Sequence, residues 1–231
     1  MAELTIILDP TTGGLLIEEP ALSYPAVRAE LDDLLGPRQS VACAAPPTVL
    51  TLPSATAAEA AAGPCVRLAG YWHDSVIEGP GRRSVAKLQG CPIRCQGCLT
   101  PDSWDPTGGF FVPVSRLADT LLDPAHERDG VTILGGEPFA QPQGLLALVR
   151  ALRARGAAHI LCYSGYTLEA LQRRAIREPV VGAVLDEIDV LIDGPFVAAL
   201  ADGGGPWVGS RNQRVIPNPG STVWLNLRNC R

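Results

Sequence analysis

The chain has 231 residues, which is enough for one full-sized domain with a small appendage. Hydrophobic residues make up 46% of the sequence and charged residues 19%, and this composition excludes a wholly disordered chain. The 19 basic and 24 acidic residues give a formal net charge of −5. The sequence therefore predicts no nucleic acid partner, because binding to a duplex relies on cationic contacts to phosphates.

The beginning of the sequence predicts neither export nor insertion into a membrane. It has no basic segment followed by a sustained apolar run, as a secretory signal would. The longest uncharged stretch, residues 39–58, contains Pro46, Pro47 and Pro53, which disfavour a membrane-spanning helix. We expect a cytoplasmic protein with no membrane partner.

The first part of the chain predicts a small α+β appendage. Its predicted elements are a strand at residues 4–8, a helix at 27–35 and a second strand at 49–52. Residues 54–63 are rich in alanine and predict a linker or a short helix. We expect residues 1–64 to form the appendage, with partner recruitment as its suggested role, and residues 65–231 to form the main domain.

From residue 65 onward, predicted strands and helices alternate. Strands are predicted at residues 66–69, 84–88, 131–134, 159–163 and 188–192, and helices at 114–122, 145–152 and 167–175. In the clearest helix, Leu145, Leu148, Val149 and Leu152 follow the i, i+3, i+4, i+7 spacing of an amphipathic helix. This alternation predicts an α/β domain built on a parallel sheet.

Four loops that carry polar or reactive residues each follow a predicted strand. These loops are the cysteine-rich segment 91–98 and residues 135–138, 163–166 and 193–195. The carboxyl ends of parallel strands meet at one edge of a sheet, where the chemistry of such folds collects. The sequence therefore predicts that the four loops form one site.

The cysteines give the strongest chemical signal. There are seven, an odd number that argues against a disulfide framework in a cytoplasmic chain. Cys91, Cys95 and Cys98 have the spacing Cys-x3-Cys-x2-Cys, and three thiolates can hold a [4Fe–4S] cluster while leaving the fourth iron open. A zinc site and three unrelated buried thiols are the alternatives, although no second Cys-x2-Cys pair or His pair accompanies the motif.

The other loops are also candidate binding segments. In Gly135-Gly136-Glu137-Pro138, glycines would let a ligand approach the backbone closely, although a plain turn after a strand is the alternative. Ser164 and Asp193 follow the next two predicted strands, where each side chain could contact a ligand or cap a turn.

The ordered motifs resemble the radical S-adenosylmethionine (SAM) superfamily, and most closely its branch that activates anaerobic ribonucleotide reductase. The resembling stretches are residues 77–81, 88–92, 95–98, 101–105, 135–138, 164–169, 189–196 and 209–215. They appear in the order typical of that branch and cover roughly residues 70–216. In the family an aromatic residue or histidine and then an asparagine follow the third cysteine, whereas Leu99 and Thr100 stand there in this chain.

The resemblance implies a partial, open (β/α) barrel and a specific chemistry. Cys91, Cys95 and Cys98 would hold a catalytic [4Fe–4S] cluster. SAM would contact Gly135, Gly136, Glu137, Pro138, Ser164 and Asp193. The open iron would bind the amino and carboxylate groups of SAM, and one electron would cleave SAM to methionine and a 5′-deoxyadenosyl radical.

The implied partner is a glycyl radical enzyme, most simply an anaerobic ribonucleotide reductase, whose glycine would lose a hydrogen atom to that radical. The implied electron donor is a flavodoxin- or ferredoxin-type protein. Two other functions stay open at this point: a radical SAM enzyme that modifies a peptide or small molecule, and a non-catalytic iron–sulfur or zinc-binding interaction module.

Overall fold

The computed structural model describes residues 48–201 and 205–217, together with the backbone of two short strands nearer the N-terminus. These strands, β1 (Ile6–Leu8) and β2 (Leu15–Ile17), pair antiparallel with Ile7 opposite Leu16. The predicted helix at residues 27–35 lies outside the described residues. Residues 1–46 form one compact unit and residues 47–231 form another.

The second unit is built on a seven-stranded sheet. Its strands are β3 (Cys65–Ser75), β4 (Arg83–Leu88), β5 (Phe110–Pro113), β6 (Gly130–Gly135), β7 (Ile160–Ser164), β8 (Val190–Asp193) and β9 (Arg214–Pro217). The order across the sheet is β5-β3-β4-β6-β7-β8-β9, so the sheet is open with β5 and β9 at its edges. This architecture confirms the predicted α/β class and the open sheet.

The four central strands β4, β6, β7 and β8 are parallel, as predicted, but the outer strands are not. Strand β3 is antiparallel to both β4 and β5, and β9 is antiparallel to β8. Only residues 76–82 separate β3 from β4, which is too short for the crossover that two parallel strands require. The expectation of a parallel sheet was therefore wrong for the outer strands.

In the described part of the chain, five α-helices accompany these strands. They are α1 (Ala57–Ala62), α2 (Val114–Leu121), α3 (Pro142–Ala154), α4 (Leu168–Ala175) and α5 (Pro179–Glu187). The structure confirms the predicted helices α2, α3 and α4. It also contains α5, β5 and β9, which were not predicted from the sequence. In α5, three valines and a glycine give a weak helix propensity. None of the helices in the described part of the chain is long and apolar enough to cross a membrane.

The main core lies between the sheet and its helices. Central strand β4 is buried along its whole length, as expected for a strand covered on both faces. Apolar side chains of the strands, such as Leu88 and Ile133, pack there against one face of α2, α3, α4 and α5. The helix side chains in this core include Leu117, Leu148 and Leu171. A smaller cluster forms around Leu161, Val190 and Ile192 with Trp207 and Val208 packed against it.

Residues 48–64 contact the sheet rather than standing apart from it. The predicted strand at residues 49–52 is wrong: only one bridge forms, between Leu50 and Tyr71, and Pro53 has no N–H to continue a ladder. Residues 54–63 do contain a short helix, α1, whose N-terminus is capped by a Thr56–Glu59 capping box. Arg116 of α2 pairs with Glu59 and donates to the carbonyl of Pro53 at 2.9 Å. The recruiting role suggested for residues 1–64 stays a prediction.

A buried polar group closes the amino end of the parallel strands. The Arg83 guanidinium is fully buried and donates to the Val131 carbonyl at 2.7 Å and to His159 Nδ1 at 3.1 Å. Burial first, and then the charge of Arg83, lowers the pKa of His159 to about 4. The imidazole is therefore neutral near pH 7 and serves as an acceptor for Arg83.

We expect the stability of the protein to fall at low pH because of His159. Its folded pKa lies below the ordinary value of 6.5, so the unfolded chain binds the proton more readily. The contribution is complete above pH 6.5 and is lost as the pH falls towards 4, on the order of a few kcal/mol. Urea unfolding at pH 7, 5.5 and 4.5 measures it. His159→Asn, which keeps an acceptor but cannot titrate, should show a smaller loss; an unchanged loss contradicts the assignment.

The two glycines within helices should respond in opposite ways to alanine. A Cβ at Gly144 of α3 would lie 2.6 Å from Val66 Cγ1 and 2.9 Å from the Cys65 carbonyl, whereas one at Gly182 of α5 would meet only Ala175 Cβ at 3.4 Å. Gly144→Ala should therefore lower the free energy of unfolding by about 1–3 kcal/mol despite better helix propensity. Gly182→Ala should raise it by about 0.5–1 kcal/mol. Urea titrations check both values, and equal effects would contradict this packing.

Candidate functional site

The four loops predicted to meet do follow the carboxyl ends of the adjacent parallel strands β4, β6, β7 and β8. Main-chain hydrogen bonds join the first two loops directly. The Gly136 N–H donates to the Leu88 carbonyl at 2.8 Å, and the Glu137 N–H donates to the Gly90 carbonyl at 2.9 Å. The cysteine loop and the Gly-Gly-Glu-Pro loop are therefore one connected structure.

Gly136 lies where these two loops are closest. A Cβ at this position would lie 2.4 Å from the Gly90 carbonyl oxygen and 2.8 Å from the Ser103 carbonyl oxygen. Gly135 is equally restricted, since its Cβ would lie 2.4 Å from the backbone of Leu88 and its φ is +123°. Both glycines are half-buried, so part of each remains accessible.

The cysteine loop is a tightly turned segment with three free thiols. Arg94 and Gly97 have left-handed backbones, with φ of 51° and 76°, and the Cys98 N–H donates to the Cys95 carbonyl at 3.2 Å. Cys91, Cys95 and Cys98 are half-buried and form no disulfide. These turns place all three thiols within one short, partly accessible loop.

Backbone N–H groups face two of the three sulfur atoms. The Thr100 N–H donates to Cys98 Sγ at 3.4 Å. Burial raises the pKa of the Cys91 thiol, and the N–H groups of Arg94 and Ile93 oppose that rise. Hydrogen bonds to cysteine sulfur are among the features that tune iron–sulfur clusters.

The donor set fits a [4Fe–4S] cluster with three protein ligands. Each thiolate of such a cluster binds a different iron, so the three sulfur atoms need not converge on one point. Across residues 48–201 and 205–217, no three Cys, His, Asp or Glu side chains are grouped to hold a single metal ion. Cys162 is fully buried in β7, and burial raises the pKa of its thiol well above the ordinary value, so it is a core residue.

Glu137 clamps the second loop to the third. Its carboxylate has no exposed surface and accepts hydrogen bonds from the Phe139 N–H at 2.9 Å, the Gly165 N–H at 2.8 Å and the Ser164 hydroxyl at 3.0 Å. Burial raises the pKa of Glu137 to about 7, and the three donors partly oppose this effect. Glu137 and Ser164 thus hold each other and fix the loops after β6 and β7.

Asp193 takes part in a second clamp, at the carboxyl end of β8. It is fully buried and accepts from the Leu168 N–H at the start of α4 at 2.6 Å and from Arg214 Nε at 2.9 Å. Arg214 also forms two hydrogen bonds to Glu169, at 3.0 and 2.9 Å. Paired charges and the Arg214 hydrogen bonds lower the pKa of Glu169 to about 2. Contacts of Asp193 with SAM stay a prediction.

Several residues that shape this site were not predicted from the sequence. Lys87 Nζ pairs with Asp102 at 2.9 Å, and Gln89 and Gln141 form a buried amide network beside the cysteine loop. The available signal was a polar residue near or just after the carboxyl end of a predicted strand, as at Lys87 and Gln89.

Comparison with known proteins agrees with this site. Residues 77–216 match the family described as a 4Fe-4S single cluster domain, which places the chain in a class of iron–sulfur proteins. The chain is 34% identical over 151 residues to the anaerobic ribonucleoside-triphosphate reductase-activating protein of Haemophilus influenzae, covering 63% of this chain and 94% of the relative. The corresponding protein of Escherichia coli is 32% identical over 152 residues, with the same coverage.

The pyruvate formate-lyase-activating enzyme of Clostridium pasteurianum is 35% identical over 95 residues, covering 39% of this chain and 40% of that enzyme. The chain belongs to the family of anaerobic ribonucleoside-triphosphate reductase-activating proteins. The family resemblance inferred from the ordered motifs is thereby confirmed, as is the [4Fe–4S] cluster at the level of the domain.

Because main chain occupies the space beside Gly136, we expect Gly136→Ala to separate the first two loops. The methyl group must displace the backbone of Gly90 or Ser103, and overpacking of this kind costs about 1–3 kcal/mol. Anaerobically reconstituted Gly136→Ala protein should therefore bind less iron and sulfide than wild type. Gly63→Ala is the matched control, since nothing lies within 4 Å of its Cβ position. Equal iron contents in the two variants would contradict the contact.

Proposed function

We propose that this protein is a radical SAM activating enzyme that generates a glycyl radical on an anaerobic ribonucleotide reductase or a related partner. The observation that carries the proposal is the loop with three free thiols at the carboxyl edge of the parallel strands, hydrogen-bonded to the Gly-Gly-Glu-Pro loop. Membership of the activating-protein family supports it.

In this proposal Cys91, Cys95 and Cys98 bind three irons of the cluster. The Thr100 N–H donates to Cys98 Sγ, and the N–H groups of Ile93 and Arg94 lower the pKa of the Cys91 thiol, so these groups favour the thiolate form. The bound cluster supplies the electron that cleaves SAM to methionine and the 5′-deoxyadenosyl radical.

SAM lies against the accessible sides of Gly135 and Gly136 in this proposal, beside the cysteine loop. Glu137 and Ser164 hold that surface in place, while Pro138 starts the buried turn that follows it. The side chains of Glu137 and Asp193 are fully buried and already bonded, so their part is to orient the loops that face SAM. A fixed arrangement of this kind limits access of water to a reactive radical.

The relatives' names support the choice of partner, since they describe proteins that activate ribonucleoside-triphosphate reductase and pyruvate formate-lyase. We propose that the radical abstracts a hydrogen atom from a glycine Cα of a reductase in the cytoplasm, and that a flavodoxin- or ferredoxin-type protein supplies the electron. The alternative is a peptide substrate, and the partner experiment must distinguish it from the reductase.

The cysteine substitutions test the proposed chemistry. Replacement of Cys91, Cys95 or Cys98 by alanine should abolish SAM cleavage under dithionite, because each thiolate holds one iron. Cys65→Ala is the matched control: this thiol is also free and half-buried, but it belongs to strand β3, opposite Pro113 of β5, and its sulfur faces the Gly63 carbonyl rather than the cysteine loop. Methionine and 5′-deoxyadenosine are measured by chromatography, and about four irons per wild-type chain are expected.

The partner experiment uses the same variants with an anaerobic ribonucleotide reductase. Wild-type and Cys65→Ala protein with SAM and reductant should give a glycyl radical signal in electron paramagnetic resonance, and the three motif variants should not. SAM cleavage without a radical on the reductase would favour the peptide substrate. SAM cleavage by a variant that lacks all three motif cysteines would refute the proposed site.

A further inference from the structure

Gln89, which directly follows β4, connects the two limbs of the cysteine loop. It is only 4% exposed, and its side-chain amide donates to the carbonyl of Asp105 at 2.8 Å and to that of Asp102 at 3.1 Å. Both amide hydrogens are thus used on main-chain acceptors of residues 101–107, the segment that we call the returning limb. A buried amide with both hydrogens engaged has one strongly preferred position.

The returning limb in turn holds the backbone of the first cysteine. The Gly90 N–H donates to the Ser103 carbonyl at 2.8 Å, and the Cys91 N–H donates to the Trp104 carbonyl at 3.1 Å. Gln89 holds the carbonyls of Asp102 and Asp105. These two residues flank Ser103 and Trp104, whose carbonyls accept the bonds from Gly90 and Cys91. A shift of the returning limb would move Cys91 relative to Cys98, which lies just before that limb in the sequence.

Gln141 anchors Gln89 from the other side. Its amide donates to the Gln89 carbonyl at 2.9 Å and to the Arg67 carbonyl at 3.0 Å, and its own carbonyl accepts from the Arg67 N–H at 2.7 Å. The Gln141 side chain thus makes the hydrogen bonds to the Arg67 main chain that a neighbouring strand would make. It does so just beyond the end of β4. Gln89 is thus tied to strand β3 as well as to the returning limb.

We propose that Gln89 is a positioning residue for the iron–sulfur cluster. It acts through the returning limb on Cys91, and so sets the spacing between the cluster's ligands; the inference rests on the cluster site proposed above. Groups that orient metal ligands commonly change metal affinity about 10- to 100-fold when they are removed, and they also tune reduction potential. A role limited to the stability of the fold would change neither the spectrum nor the potential of the bound cluster.

Two variants disturb the amide in different ways. Gln89→Leu removes both donors and leaves the two carbonyls without this partner. Gly108→Ala keeps the amide but adds a methyl group whose position lies 2.8 Å from Gln89 Nε2, so the side chain must move. The second variant keeps the inference testable if Gln89→Leu does not fold.

Two controls separate positioning from general destabilisation. Gly63→Ala adds a methyl group where nothing lies within 4 Å. Val190→Ala removes buried methyl groups from the smaller cluster at the start of β8, outside the network of Gln89 and Gln141, and is expected to lower stability in its own right.

The experiment compares the reconstituted full-length proteins in three ways. Loss of iron to a chelator should be about tenfold faster in Gln89→Leu and Gly108→Ala than in wild type. Their reduced clusters should show altered electron paramagnetic resonance spectra and midpoint potentials. In cluster-free protein, hydrogen exchange at the Gly90 and Cys91 amides should be faster than in either control.

The outcomes separate this inference from the proposed function. A wild-type protein that holds no [4Fe–4S] cluster overturns both. A wild-type protein that holds one, with Gln89→Leu and Gly108→Ala matching Gly63→Ala in spectrum, potential and amide exchange, overturns the positioning role alone. Changes in Val190→Ala equal to those in the two test variants also overturn it, because they assign the effect to stability.

Discussion

The arrangement of the site depends on the hydrogen bonds that the buried Glu137 carboxylate accepts. Glu137 follows β6 and accepts hydrogen bonds from Phe139, Ser164 and Gly165, so it joins its own loop to the loop after β7. Its own N–H donates to Gly90, directly before the first cysteine of the motif. One residue thus connects three of the four loops: its N–H reaches the cysteine loop, and its carboxylate joins its own loop to the loop after β7.

This arrangement has an energetic cost that its hydrogen bonds offset. A carboxylate without partners in the interior would be strongly destabilising. Burial raises the pKa of Glu137 to about 7, so the group titrates near neutrality even with three donors around it. The second clamp differs, because Asp193 has a cation beside it: Arg214 supplies charge as well as hydrogen bonds. The loop after β6 is therefore held by dipoles and the loop after β8 by an ion pair.

The sequence predicted the parts of this site that depend on local pattern. Apolar runs identified the four parallel strands, and the rule that their carboxyl ends share an edge brought the cysteines next to Gly135 and Gly136. The same reasoning could not find Gln141, whose partner Arg67 lies 74 positions away, or Arg214, which reaches Asp193 from an edge strand. Helix α5 was missed because tertiary packing of Val181 and Val184 overrides their low helix propensity.

The contact between Gly136 and Gly90 has a consequence for how this chain can diverge. Both partners in the contact are main chain, since the nearest atoms to a Cβ at 136 are the carbonyl groups of Gly90 and Ser103. When a side chain meets a side chain, a smaller residue on one side can compensate for a larger one on the other. Here neither partner has a side chain that could be shortened, so no second-site replacement restores the space. A substitution at position 136 therefore cannot be compensated by a second substitution at these partners. At Leu99, after the third cysteine, the side chain is 83% exposed, so a replacement there meets no such barrier of packed main chain.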